Sequence, residues 1–184
     1  VSESDGTEPI RVVIVDDHAV VRSGLEQFLA TAGDIDVVAT AANGNEALTC
    51  VAEHRPDVVL MDIQMPGIGG LEATRRCLRA HPEVKVLVVT IYEDEPYPSK
   101  LLNVGAAGYL TKGADIKEML LAIRKVHSGQ RYICAEIAQR RALRPFSEAD
   151  TSPFDQLSTR EMQITLMVIM GINAQDISEK LSLS

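Results

Sequence analysis

The stretch VVLMDIQMPGIGG, Val58 to Gly70, decides how the rest of the chain is read. Four consecutive apolar residues stop at Asp62, and the next eight contain one proline and three glycines. A run that is apolar at every position suits a strand covered on both faces, as in a parallel sheet flanked by helices. The Pro-Gly-rich stretch after it is a turn or loop. Working outward, the same phrase recurs. Ile10–Val15 is an apolar run interrupted by Arg11 and ends at Asp16-Asp17. Val37–Ala42 is a weaker run, Val84–Val89 ends at Thr90, and Tyr109-Leu110 precedes Thr111-Lys112.

Between these runs the apolar spacing turns helical. Val20, Val21, Gly24, Leu25, Phe28 and Leu29 share one face, and Asn43-Gly44 opens a segment carrying Ala47, Leu48 and Val51. Leu71–Arg79, Pro98–Val104 and Ile116–Val126 complete five strand–helix units over residues 10–128. The alternation predicts an α/β fold, a doubly wound five-stranded parallel sheet in the flavodoxin-like order 2-1-3-4-5.

Composition narrows the function. The chain has 184 residues, 46% hydrophobic and 24% charged, with mean hydropathy +0.03. That suits one domain of about 100–150 residues and a smaller unit. No apolar run approaches the roughly 20 residues of a membrane span, and no signal-peptide pattern opens the chain, so no membrane partner is expected. Cys50, Cys77 and Cys134 are an odd number without metal-type spacing, which favours a reducing cytoplasm. The net charge of −8 and pI near 5.0 argue against nucleic-acid binding by the chain as a whole. The acid is unevenly placed, however. Residues 1–128 carry 19 Asp+Glu against 12 Lys+Arg, a balance of −7, and residues 129–184 carry 7 against 6, a balance of −1.

Residues 1–9 are polar without period and are expected to be a disordered leader. After Gly129 the strand–helix alternation stops. Ala135–Leu143 reads as a helix with Arg140, Arg141 and Arg144 at its end, a solvated face by default. Residues 145–156 (PFSEADTSPFDQ) read as a linker, so 129–156 are taken together as helix and linker. In 157–184, Ser158 and Glu161 form a capping box before Ile164, Leu166, Met167, Val168 and Met170, and Gly171 is a stop. Asn173 caps a second helix bearing Ile177 and Leu181.

The chemistry follows from the strand ends. Ligands of open α/β sheets bind beyond the carboxyl ends of the strands, where strand order reverses. In the order 2-1-3-4-5, strands 1 and 3 are neighbours there, so Asp16, Asp17 and Asp62 converge, with Thr90 and Lys112 beside them. Three carboxylates in one cleft repel unless a cation joins them, and an oxygen-only ligand set suits Mg²⁺. Asp62 is the candidate nucleophile toward phosphorus. Lys112 and Mg²⁺ would neutralise the equatorial oxygens, and Thr90 would donate a hydrogen bond. The plainer alternative is that strand-end aspartates cap the helices after them. A phosphatase or transferase acting on small molecules would need a general acid, and none is placed for turnover.

Other signals are weaker. Gly67, Gly69 and Gly70 lack the Lys-Ser/Thr of a P-loop and read as turn glycines. His18, His54, His81 and His127 share no face, and His18 is expected at the start of the first helix near the acidic cleft. Cys50 and Cys77 lie in helical segments as small apolar residues.

The motifs VVIVDDH (12–18), VVLMDIQMPGIGG (58–70), VLVVT (86–90) and GAAGYLTKG (105–113) resemble the receiver domain of bacterial two-component response regulators. The tail LSTREMQITLMVIMGINAQDISEKLSLS (157–184) is similar to the start of a LuxR-type helix-turn-helix, which places the resemblance in the NarL/FixJ subfamily. GAAGYLTKG, GQRYI (129–133), IAQ (137–139) and SPFDQLSTRE (152–161) resemble its GacA/UvrY group.

That resemblance implies a phosphoacceptor protein, not an enzyme, that assists its own phosphotransfer and dephosphorylation. Asp62 would be the phosphoacceptor and also one of the Mg²⁺ ligands. Asp17 would ligate Mg²⁺ directly, Asp16 through water, and Gln64 by its backbone carbonyl. Thr90 and Tyr109 would be the switch pair, and Lys112 the family lysine. The residue after the threonine is often Ala in the family, and here it is Ile91. The implied partners are a sensor histidine kinase of BarA/GacS type or a phosphotransfer protein, a second copy of the chain on phosphorylation, and DNA at genes for small regulatory RNAs. Ser184 falls where the recognition helix should begin, so DNA contacts are unassigned and poor DNA binding is expected of the chain as written. The alternative is a stand-alone receiver or interaction module that does not touch DNA.

Overall fold

A computed structural model of the chain describes residues 8–92, 97–142, 157, 158, 161, 164, 165, 167, 168 and 173–181. Its centre is a sheet whose strands are apolar at almost every position. These are β1 (Ile10–Val15), β2 (Ile35–Ala41), β3 (Val58–Met61), β4 (Lys85–Thr90), β5 (Gly108–Thr111) and β6 (Tyr132–Ile133). The strand order is β2-β1-β3-β4-β5-β6, and every neighbouring pair is parallel. Val12, Val13, Val58, Val59, Val86, Leu87 and Val88 have no exposed surface, so both faces of the central strands are covered. Each such side chain contributes roughly 1.5–3 kcal/mol relative to exposure.

The crossovers are α1 (Ala19–Ala30), α2 (Gly44–His54), α3 (Gly69–Ala80), α4 (Tyr97–Val104) and α5 (Ile116–His127). Local chemistry starts two of them. Asn43 accepts from the Glu46 amide at 3.0 Å while the Glu46 carboxylate returns to the Ala42 amide at 2.8 Å. Asp115 accepts from the Glu118 amide at 2.8 Å. Side-chain caps of this kind satisfy amides that a helix leaves without partners. α5 is also tied across the fold, its Arg124 gripping Asp34 with two bonds of 2.7 and 2.8 Å.

The sheet has six strands, which corrects the expected five. β6 pairs with β5, Gly108 opposite Tyr132 and Tyr109 opposite Ile133. Two residues carry no readable period, so the sequence pattern passes over them. What holds them is tertiary. The Tyr132 hydroxyl donates to Glu118 of α5 at 2.8 Å, and the Lys125 ammonium lies 5.5 Å from the ring centroid. Past the strand, Cys134 and Ile137, the latter in α6 (Ala135–Ala142), join the main core. That core therefore continues beyond residue 128.

A second, small apolar cluster joins Met167, Ile177 and Ile164 in the C-terminal segment, where α7 spans Ala174–Leu181. Both expected caps are present. Ser158 and Glu161 bond reciprocally, at 3.3 Å to the Glu161 amide and 2.7 Å to the Ser158 amide. Asn173 accepts from the Asp176 amide at 2.9 Å. Most of the expected leader (1–7), the linker 145–156, Leu143, Arg144, Leu166, Met170 and Gly171 lie outside the described residues, as do the side chains of Arg140 and Arg141. Among the described residues no helix is long and apolar enough to cross a membrane.

Candidate functional site

The register of the central strands builds the site. Val15 lies opposite Met61, so Asp16 and Asp62 leave the sheet side by side. The ladder reaches one bond further at each. Asp62 donates its amide to the Val15 carbonyl at 2.9 Å, and Asp16 donates to Ala41 at 3.1 Å. Both carboxylates are buried, Asp16 at 2% and Asp62 at 4% exposure. From the other side, Lys112 donates its amide to the Thr90 carbonyl at 2.8 Å. Its ammonium bridges the two acids, 2.8 Å from Asp62 Oδ2 and 2.5 Å from Asp16 Oδ2. The other Asp62 oxygen accepts from the Ile63 amide at 2.7 Å and faces the Gln64 amide at 3.4 Å.

Asp17 and His18 form the outer wall. His18 Nδ1 lies 2.9 Å from Asp17 Oδ1 and 3.2 Å from Asp16 Oδ1, and its amide donates to Asp16 at 2.8 Å. His18 precedes α1 directly, where the sequence put it. Asp16, Asp17, His18 and Asp62 each offer one ligand atom, all within 4.8 Å of one another. Three carboxylates so close form an oxygen-rich set of the kind a hard divalent cation takes.

The loop after Asp62 has little room. A Cβ on Gly70 would lie 1.9 Å from the Asp62 carbonyl oxygen. Gly70 donates to the Ile63 carbonyl at 2.8 Å, and Gly67 and Gly69 take positive φ of 81° and 67°. Gly67 is a turn glycine, as expected, whereas Gly69 and Gly70 open α3, and Gly70 adds a close backbone approach that a larger residue would prevent.

Electrostatics set Asp62 apart. Burial pushes its pKa up, the Lys112 ammonium pulls it down, and neighbouring Asp16 pushes it up again, with a raised net value. Burial alone would lower Lys112, but its bonds to Asp16 and Asp62 outweigh that and hold the ammonium protonated. The cleft therefore has more negative charge than its one lysine neutralises.

Thr90 and Tyr109, both fully buried, are joined through a residue the sequence reading missed. The Tyr109 hydroxyl donates to the Tyr92 carbonyl at 2.7 Å, and the Tyr92 amide donates to Thr90 Oγ1 at 3.3 Å. The Tyr92 hydroxyl reaches Gln64 Oε1 at 2.7 Å. Nothing in the local pattern marks Tyr92, because its partners are 28 and 17 residues away. Ile91 beside it is 66% exposed. Beside Asp17 lies a cavity of about 470 Å³, lined also by His18, Gln64, Met65, Pro66 and Met167. Met167 comes from the C-terminal segment, another placement without a sequence signal.

The family model of the response regulator receiver domain matches residues 12–124. The response regulator GacA of Pseudomonas viridiflava is 54% identical over 176 residues, 95% of this chain and 82% of that protein. The chain belongs to the two-component response regulators. The response regulator UvrY of Escherichia coli K12 is 48% identical, over 95% of this chain and 81% of its own length. Among solved structures, a LuxR-family two-component response regulator from Aurantimonas sp. SI85-9A1 superposes with a TM-score of 0.71 at 36% identity. That match covers 73% of this chain and 96% of the other. In this response regulator, the matched receiver span holds Asp16, Asp17, Asp62, Thr90, Tyr109 and Lys112.

Proposed function

We propose that Asp62 is the phosphoacceptor of this regulator and that its charge state controls a DNA-binding output. The observation that carries the reading is the buried Asp62 carboxylate, held between Lys112 and the Ile63 amide with Asp16 and Asp17 beside it. One Asp62 oxygen attacks the phosphorus of an acyl phosphate or a phosphohistidine. The new O–P bond forms as the bond to the donor's leaving atom breaks.

Lys112, kept protonated by its two acids, stays within reach of the transferred phosphoryl oxygens. Thr90 Oγ1 accepts from the Tyr92 amide, which leaves its O–H to donate toward the phosphoryl group. Asp17 directly, Asp16 through water, Asp62 and the Gln64 carbonyl would hold Mg²⁺. When bound, it supplies the positive charge that three clustered carboxylates and a phosphoryl group require. The same residues also serve loss of the phosphoryl group to water.

Phosphorylation adds about two negative charges at the sheet's carboxyl end. Thr90 and Tyr109 answer as the switch pair, and the tail, whose Met167 borders the cavity, is released for pairing and DNA binding. The donor would be a sensor histidine kinase of BarA/GacS type or a phosphotransfer protein. In this reading residues 10–128 are the receiver, 129–156 helix and linker, and 157–184 belong to the helix-turn-helix unit.

Incubation with acetyl phosphate and Mg²⁺, followed by intact mass, tests the chemistry. One phosphate per chain is expected for the native protein and none for Asp62→Ala. An adduct that persists in Asp62→Ala sinks the assignment.

A further inference from the structure

We propose that Tyr92 is a positioning residue that ties the phosphoacceptor loop to helix α4, so that a change at Asp62 reaches α4 through its side chain. The proposal rests on Asp62 being the phosphoacceptor.

Four contacts of Tyr92 span the site and α4. Its hydroxyl donates to Gln64 Oε1 at 2.7 Å, and Gln64 is the second residue of the Asp62 loop, its amide 3.4 Å from Asp62 Oδ1. Its amide donates to Thr90 Oγ1 at 3.3 Å. Its carbonyl accepts the Tyr109 hydroxyl at 2.7 Å. Its ring packs on Tyr97, the first residue of α4, with centroids 4.9 Å apart and planes tilted by 37°. Tyr97 is 7% exposed and belongs to the main core, so it is a firm seat for that ring.

The two kinds of contact divide the work. The backbone bonds to Thr90 and Tyr109 would survive any side chain at position 92. The side-chain contacts, hydroxyl to Gln64 and ring to Tyr97, require an aromatic residue with a hydrogen-bond donor at its tip. Burial and the nearby Asp62 charge keep that hydroxyl protonated and able to donate. The side chain of Tyr92 therefore bridges the β3–α3 loop to α4 directly. A bonded loop and a stacked helix respond together, and severing either end leaves one without the other.

Hydrogen exchange on the full chain, before and after acetyl phosphate with Mg²⁺, tests this, with phosphate uptake read in parallel by intact mass. In the native protein, amides of residues 63–70 and of α4 (97–104) should both change protection by several-fold on phosphorylation. Tyr92→Phe keeps the ring and removes the hydroxyl's bond to Gln64. It should still take phosphate and shift 63–70, while the α4 response falls at least threefold. Tyr92→Leu, which also removes the stack, should abolish the α4 response. An α4 response equal to native in phosphorylated Tyr92→Phe and Tyr92→Leu overturns the proposal, as does a native α4 that never responds. Absence of phosphate uptake by the native protein overturns the Asp62 reading and the coupling with it. If Tyr92→Leu fails to fold, Tyr92→Phe alone decides.

Discussion

Asp34 and Asp62 each hold a cation within 2.8 Å, and their carboxyl groups move in opposite directions. Asp34 bonds both oxygens to Arg124 at the surface, and that guanidinium holds its pKa below the ordinary carboxyl value. Asp62 bonds Lys112 at the carboxyl end of the sheet, and its pKa is raised. Burial makes the difference, with Asp16 adding to it. Asp34 and Arg124 are nearly half exposed, whereas the Asp62 side chain is 5% exposed and shares its lysine with a second buried acid. Contact with a cation thus says little about what a carboxylate is for. A surface pair is a staple between α5 and the start of β2, while a buried acid sharing its cation is poised to gain further positive charge.

The largest expected effect attacks the backbone that seats Asp62. Gly70→Ala would drive a methyl group into the Asp62 carbonyl, and overpacking against backbone costs about 3 kcal/mol. Urea unfolding should show that loss together with reduced phosphate uptake, whereas an unchanged midpoint would mean the loop yields freely.

Removing the buried cation comes next. Lys112→Met strands two buried carboxylates and should destabilise the fold by about 3 kcal/mol. Adding Asp62→Asn to that variant should restore part of the loss. Failure of the second change to help would make the buried pair behave like the exposed one.

Breaking the surface pair with Arg124→Met should cost less than about 1 kcal/mol and matter less in high salt, as exposed ion pairs do. A loss as large as that of Lys112→Met would make the two pairs alike.

The smallest effect is one of pH. The Asp34 pair stabilises the fold above the ordinary carboxyl value of 3.8, and that contribution is lost as pH falls through its lower folded value. Asp62 runs the other way. Its contribution is present below 3.8 and is lost as pH rises through its raised folded value. Urea midpoints followed from acid to neutral pH should therefore rise less steeply in Arg124→Met than in the native chain. In Asp62→Asn they should rise more steeply, giving a more stable protein near neutrality.

The parts of this molecule that were legible in its sequence are those governed by local pattern. Apolar runs, some broken or short, marked the first five strands, and the residues at their ends (Asp16, Asp17, Asp62, Thr90 and Lys112) follow from parallel strands aligning their carboxyl ends. The caps at Asn43, Ser158 and Asn173 were readable because partner and donor sit three residues apart. What escaped depends on contacts made across the fold. The grip of Arg124 on Asp34 spans 90 residues, and the bond of Tyr92 to Gln64 spans 28. Met167 shares a cavity with Asp17 and His18 from about 150 residues along the chain, a placement that no periodicity encodes. β6 is too short to have a pattern and exists because Tyr132 finds Glu118 and Lys125 on α5.

That short strand has a practical consequence for dissecting the protein. Cutting the chain after Ser128, where α5 closes, would strip the outer edge of β5 and bare the amides and carbonyls that β6 now occupies. It would also empty the places of Cys134 and Ile137 in the core. A bare parallel edge beside vacated apolar slots invites self-association. A fragment carried through Ala142 keeps its own edge guard, and is the one to express when the sheet is wanted alone.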